Sequence, residues 1–97
     1  ASATAIQVCN DMAAVGAADV LMKQGLKIPG DFSLVGYGNV LLAEYFTVPL
    51  TTVRQPKFRL GAAAVEILRK LIRREPVESR RLPAILAIRS STGPLTH

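Results

Sequence analysis

The sequence holds one cysteine, one histidine and no tryptophan, and only 5% of it is aromatic. A single thiol excludes an internal disulfide, and Cys9 with the terminal His97 supplies too few ligands for a Cys/His zinc cluster. His97 is also the only base for a Ser/His/Asp or Cys/His arrangement, and it stands at the far end of the chain. Enzyme activity is therefore not expected, and neither is a cofactor. Cys9 reads as a small buried hydrophobe. Glycines 36 and 38 do not make a G-x-G-x-x-G fingerprint, because position 41 is Leu, so dinucleotide binding is set aside. No apolar run approaches the roughly 20 residues that a membrane helix needs. No basic n-region opens the chain, so a secretory signal is not expected and the cytoplasm is the simplest compartment.

What the sequence does hold is apolar residue in periodic blocks: 97 residues, 49% hydrophobic and 20% charged. A chain of that size is one small domain or a piece of one and buries about two-thirds of its unfolded surface, which limits its core. The net charge of +5 is unevenly spread. Residues 1–50 carry two Lys/Arg against four Asp/Glu, whereas residues 51–97 carry ten against three. A basic half can mark a nucleic-acid surface, since clustered cations release counterions from phosphates. Here the Lys and Arg fall at solvent-face spacing and no aromatic alternates with them, so a stacking platform for single strands is not built.

Along the chain, strand and helix signals alternate. Residues 4–9 form a short apolar run with β-branched members. Asn10 or Asp11 then offers an N-cap oxygen to a helix that runs to about Gln24, with Gly25 as its stop. Residues 32–37 read as a second buried strand ended by Gly36 and Gly38, residues 40–46 as a short helical turn, and residues 51–54 as a third strand. The order βαβαβ favours parallel strands. Pro56 then opens a long helix at its first position, with Leu60, Ala64, Ile67, Leu68 and Leu71 on one face, so that one side alone is buried. Arg73 and Arg74 suit its C-terminal dipole, and residues 82–89 read as a final strand.

The first helix is apolar on two sides. Ala13, Ala17, Val20 and Leu21 make one stripe; Met12, Val15 and Met22 make another, with Asp19 among them. Such a helix needs cover on two sides. One cover is its own sheet. The other is either a neighbouring loop or a second subunit.

Three segments, Cys9-Asn10-Asp11-Met12-Ala13-Ala14-Val15-Gly16-Ala17, Leu34-Val35-Gly36-Tyr37 and Pro49-Leu50-Thr51-Thr52-Val53-Arg54-Gln55-Pro56-Lys57, occur in order and at matching spacing. Together they resemble the C-terminal part of the lactose-repressor/galactose-repressor family of bacterial transcription regulators, over nearly all of the chain. The resemblance implies an α/β chain, part of a periplasmic-binding-protein-like (type I) bilobal fold: a parallel βαβαβ core followed by a long helix and a final strand. It places residues 1–54 and about 80–92 in the C-terminal lobe and the helix of about 57–78 in the N-terminal lobe. The strand-to-helix joint at 49–57 is then a crossover between lobes.

That resemblance also implies a function: the effector-binding and dimerisation part of a regulator that responds to a sugar or a purine and reaches operator DNA through a helix-turn-helix absent from this chain. The alternatives are a periplasmic sugar-binding protein of a transporter, which shares the fold, and an isolated basic nucleic-acid module. In an open α/β lobe, ligands bind beyond the carboxyl ends of the parallel strands. The candidate effector residues are accordingly Asn10, Asp11, Gly38, Asn39 and Lys57, with a helix cap as the structural reading of Asn10 and Asp11. Family members usually carry an Asp where Gly38 stands, and that carboxylate commonly grips effector hydroxyls. Its absence here favours an anionic or non-sugar effector. A homodimer is expected through Met12, Val15, Asp19, Met22 and Phe46, with no membrane partner.

Overall fold

The computed structural model describes residues 3–94. Its elements in order are β1 (Ala5–Gln7), α1 (Asp11–Lys23), β2 (Ser33–Val35), α2 (Leu41–Tyr45), β3 (Thr52–Arg54), α3 (Lys57–Ile72) and β4 (Ile85–Ala87). By contacts the chain divides into two units, residues 1–54 with 85–97 and residues 55–84.

In the first unit, β1 and β2 pair in parallel, with Ile6 opposite Leu34. A parallel bridge between Val35 and Thr51 joins β2 to the run into β3. The backbone N–H groups of Gly36 and Gly38 continue that seam to the carbonyls of Thr51 and Val53, both at 2.9 Å. β4 then pairs with β3 antiparallel, Val53 opposite Leu86. The expected α/β fold with a parallel core and a final strand is thus present, and the last strand is shorter than the 82–89 expected.

Helix α1 lies on this sheet through small residues. Ala14 and Ala18 are fully buried, as are Leu34, Ala43 and Leu50, and Ile28 joins the same cluster. Alanine at those two positions keeps helix and sheet backbones close, so a thin core still excludes water. The sheet-facing stripe is therefore Asp11, Ala14 and Ala18, rotated from the Ala13/Val20 stripe expected; Ala13 and Val20 are exposed, while Ala17 and Leu21 pack at its margin. Size explains the difference, since the closest approach selects the smallest side chains rather than the most apolar. Met22 and Phe46 pack against this core as well, and Asp19 pairs with Lys23 one turn along at 3.0 Å.

The end of α1 follows its sequence. Gly25 takes φ +81°, its N–H donates to the Met22 carbonyl, and the Leu26 N–H donates to the Leu21 carbonyl, which is the Schellman closure.

In the second unit, Pro56 is the residue before α3 rather than its first helical residue, with Lys57 opening the helix. The expectation that one face of α3 is buried does not hold. Of its residues only Ala63 is buried, and Leu60, Leu68 and Leu71 are exposed. Phe58, 90% exposed, stands with Val65 and Ile72 on a second apolar stripe. The amphipathic pattern is real, but within the second unit nothing among the described residues covers it.

Candidate functional site

Beyond the carboxyl ends of β1 and β2, and at the start of β3, the first unit gathers three short segments: residues 8–11, residues 36–40 and Thr52 with its neighbours. Their bonding centres on Asp11. Its side chain is only 1% exposed. One carboxylate oxygen accepts the Thr52 hydroxyl at 2.6 Å, the other accepts the Val40 N–H at 2.8 Å, and the Asp11 N–H donates to the Tyr37 carbonyl at 3.2 Å. Thr52 in turn accepts the Asn39 N–H at 3.3 Å. A buried carboxylate is tolerable only when bonded in this way.

Asp11 is thus a clip between the three segments. Each of its oxygens accepts a bond inside the chain, and the residue is buried. The clip also explains Gly36. A Cβ there would overlap the Asp11 carboxylate and lie 2.9 Å from Leu50 Cδ2, so no side chain fits.

Asn10, not Asp11, caps α1. Its backbone is extended and its side-chain oxygen accepts the Ala13 N–H at 2.8 Å, while its amide donates to Cys9 Sγ at 3.6 Å. The side chain is exposed at the mouth. Cys9 is exposed too, contrary to the buried hydrophobe expected, because β1 ends at Gln7 and the connection to α1 leaves the sheet.

Gly38 takes φ +118° with open space around its α-carbon, and Asn39 takes φ +55°, so the turn after β2 runs through the left-handed region twice. Gly and Asn are the residues that tolerate it. The Asn39 side-chain oxygen accepts an N–H of Arg89 at 2.8 Å, and a second N–H of Arg89 donates to the Leu50 carbonyl at 2.9 Å. Lys57 belongs to the second unit, where it lines a groove along α3 with Phe58, Gly61, Ala62, Val65 and Arg69.

Three residues that matter here, Thr52, Arg89 and Ser91, are not singled out from sequence, and Gly36 reads there only as the end of a strand. Ser91 is fully buried, accepts the Thr51 N–H at 2.8 Å and donates to the Leu34 carbonyl at 2.5 Å. Its own N–H reaches the Pro49 carbonyl at 3.0 Å. The run Arg89-Ser90-Ser91-Thr92 carried a signal, since a cation and three hydroxyls directly after a strand need partners that the strand does not supply. Among the described residues no group of His, Cys, Asp and Glu could hold a metal, and no helix is long and apolar enough to cross a membrane. His97 lies outside the described residues.

Residues 1–92 match the family model described as a periplasmic binding protein-like domain. The chain belongs to that family, on its LacI-type branch. It is 48% identical over 77 residues to the HTH-type transcriptional repressor PurR of Vibrio campbellii, covering 79% of this chain and 23% of that protein. Among solved structures, a LacI family transcriptional regulator of Enterococcus faecalis with bound ribose superposes with a TM-score of 0.86 at 40% identity, over 99% of this chain and 37% of that one. The Lac repressor dimer bound to operator and the anti-inducer ONPF superposes with a TM-score of 0.83 at 34% identity, over 92% of this chain and 32% of that one. This LacI-type chain therefore spans about a quarter to a third of the proteins it matches.

Proposed function

We propose that the chain is the effector-binding and dimerisation part of a bacterial, cytoplasmic DNA-binding transcription regulator that responds to a small molecule such as a sugar or a purine. The observation that carries the reading is the mouth of the first unit: the carboxyl ends of two parallel strands and the start of a third, tied by one buried carboxylate, in a chain whose named relatives are repressors and regulators rather than transporter components. In this reading residues 1–54 and about 80–92 form the C-terminal lobe, and the helix of about 57–78 belongs to the N-terminal lobe. Operator DNA is reached through a helix-turn-helix elsewhere in the longer protein. The role is binding, not catalysis.

Within the mouth, Asn10, Gly38 and Asn39 are the groups proposed for the effector; Lys57, in the second unit, is a further candidate. Asp11 supports them from beneath. No free carboxylate remains at the strand ends, because Gly38 has no side chain and Asp11 is committed internally. Neutral polyols lose a charge-assisted acceptor there, which contributes roughly 1.5–3 kcal/mol where it exists. Calorimetric titration of the longer protein against ribose and hypoxanthine tests this. Tighter binding of hypoxanthine supports it; ribose bound tightly by the unmodified protein contradicts it.

The same reading makes the protein a homodimer through α1 and α2. Met12 is 59% exposed and Leu41 78% exposed, and the Asp11 bond to Val40 sets the first turns of these helices side by side. Val15, Asp19, Met22 and Phe46 border that surface, Met22 and Phe46 with one side in the core. A charge at Val15 or Leu41 is expected to convert the dimer to monomer in sedimentation. Unchanged sedimentation of both variants moves the interface elsewhere.

A further inference from the structure

The guanidinium of Arg89 reaches from the segment after β4 to the turn after β2, far from it in sequence. Its backbone is fixed first: the Arg89 N–H donates to Thr51 Oγ1 at 2.9 Å, and the next buried residue, Ser91, is bonded to both β2 and the run into β3. From that anchor one guanidinium N–H holds the Leu50 carbonyl and another holds Asn39 Oδ1. On the other side of the turn, Thr52 accepts the Asn39 N–H and Asp11 accepts the Val40 N–H. The turn 38–40 is therefore gripped from two sides, through its backbone by the Asp11–Thr52 pair and through its side chain by Arg89.

We infer that Arg89 is a positioning residue for the effector mouth, fixing the Asn39 amide so that its Nδ2 donors are the groups this turn offers to a ligand. An amide is planar and its oxygen and nitrogen look identical in shape, so a free Asn presents either. A guanidinium on Oδ1 removes that ambiguity, because Arg has only donors to give. The effector chemistry selected is an acceptor, a carbonyl, ring nitrogen or hydroxyl oxygen, at the position facing Asn39. This assignment rests on the proposal above that the strand-end mouth binds the effector.

The test has two arms in the full chain. Amide hydrogen exchange reads the grip directly, since Gly38, Asn39 and Val40 each donate their N–H to a bond inside the unit. Asn39→Ala and Arg89→Ala are each expected to speed exchange at these three amides at least tenfold while Ala18 and Leu34 change less than twofold, with Arg89→Lys between. Should Arg89→Ala unfold the chain, Arg89→Lys decides this arm alone, because it leaves the left-handed backbone of Asn39 untouched. Uniform acceleration, or none at the turn, overturns the grip.

The second arm titrates hypoxanthine and ribose. Arg89→Lys and Asn39→Ala are expected to weaken the same probe by at least tenfold each, and the double variant by no more than the stronger single, as for two groups acting as one. Additive losses, or probe binding unmoved by either change, refute the positioning role even if the turn loosens. Silence of the unmodified chain to both probes counts against the effector reading itself, and the exchange result then stands separately for the grip.

Discussion

The two units of this chain both carry helices with an apolar face, and they came out opposite. In the first, Ala14, Ala18, Leu34, Ala43 and Leu50 are fully buried and the buried polar side chains Asp11, Thr51, Thr52 and Ser91 are all bonded. In the second, a helix of 16 residues buries Ala63 and nothing else. Amphipathic periodicity records that a helix needs cover, not where the cover comes from. The first unit closes on itself because its strands bring distant segments together; within its own unit α3 has only short connections to pack on.

The sharpest way to break the contrast is to remove the clip that closes the first unit. Asp11→Ala leaves the buried Thr52 hydroxyl without its acceptor, at about 1–3 kcal/mol, and the part-buried Val40 N–H without its own at the lower end of that range, so a total loss near 3 kcal/mol is expected. Urea unfolding followed by far-UV circular dichroism measures it. A change below about 1 kcal/mol would show that water or a shifted side chain replaces the carboxylate, and that the unit is not held as described.

Gly36→Ala attacks the same clip from its other face. The added methyl meets the Asp11 carboxylate and Leu50, both in the closed interior, and overpacking of this kind costs about 1–3 kcal/mol. Combined with Asp11→Ala it is expected to cost less than the sum, since removing the carboxylate opens the space the methyl needs. Additivity in the double variant would place the strain elsewhere, and a denaturation series on the three proteins resolves it.

What the sequence made legible divides along the same line. Strand and helix order and the Gly25 stop are local, carried by residues next to one another, and each is found where expected. The Asp11–Thr52, Arg89–Asn39 and Ser91–Leu34 bonds join residues tens of positions apart, and no local pattern encodes them. The stripe on α1 was misjudged by one position because hydrophobicity ranks Val20 above Ala18, whereas close packing on a sheet selects the smaller side chain. The candidate residues split likewise: the position of Asn10 and Gly38 after their strands is legible locally, while the bonding of Asp11 to the interior depends on partners that only the fold supplies.

A smaller effect sharpens the reading of local signals. Gly25→Ala places a Cβ in the left-handed region that closes α1, with no steric neighbour to add to the cost. The expected loss is about 1 kcal/mol, from backbone conformation alone. Since the Schellman bonds at Gly25 and Leu26 stay possible, the midpoint in urea is expected to fall without a change in slope. A slope change would mean that the helix end frays and the comparison of local with distant signals is less clean.

The smallest expected effect carries the comparison furthest. Leu71 lies on the apolar face of α3 and is 53% exposed. In this chain Leu71→Ala removes little buried surface, and surface substitutions of this kind stay within about 0.5 kcal/mol. In a protein of the length of its relatives, where α3 is proposed to sit inside a second lobe, the same substitution empties a core position and is expected to cost about 2–5 kcal/mol. Measuring the variant in both lengths turns a null result into an informative one. Equal, small losses would mean that this face of α3 stays open in the longer protein too, and that its periodicity serves a partner rather than a core; a large loss confined to the longer protein would locate the missing cover in the rest of that chain.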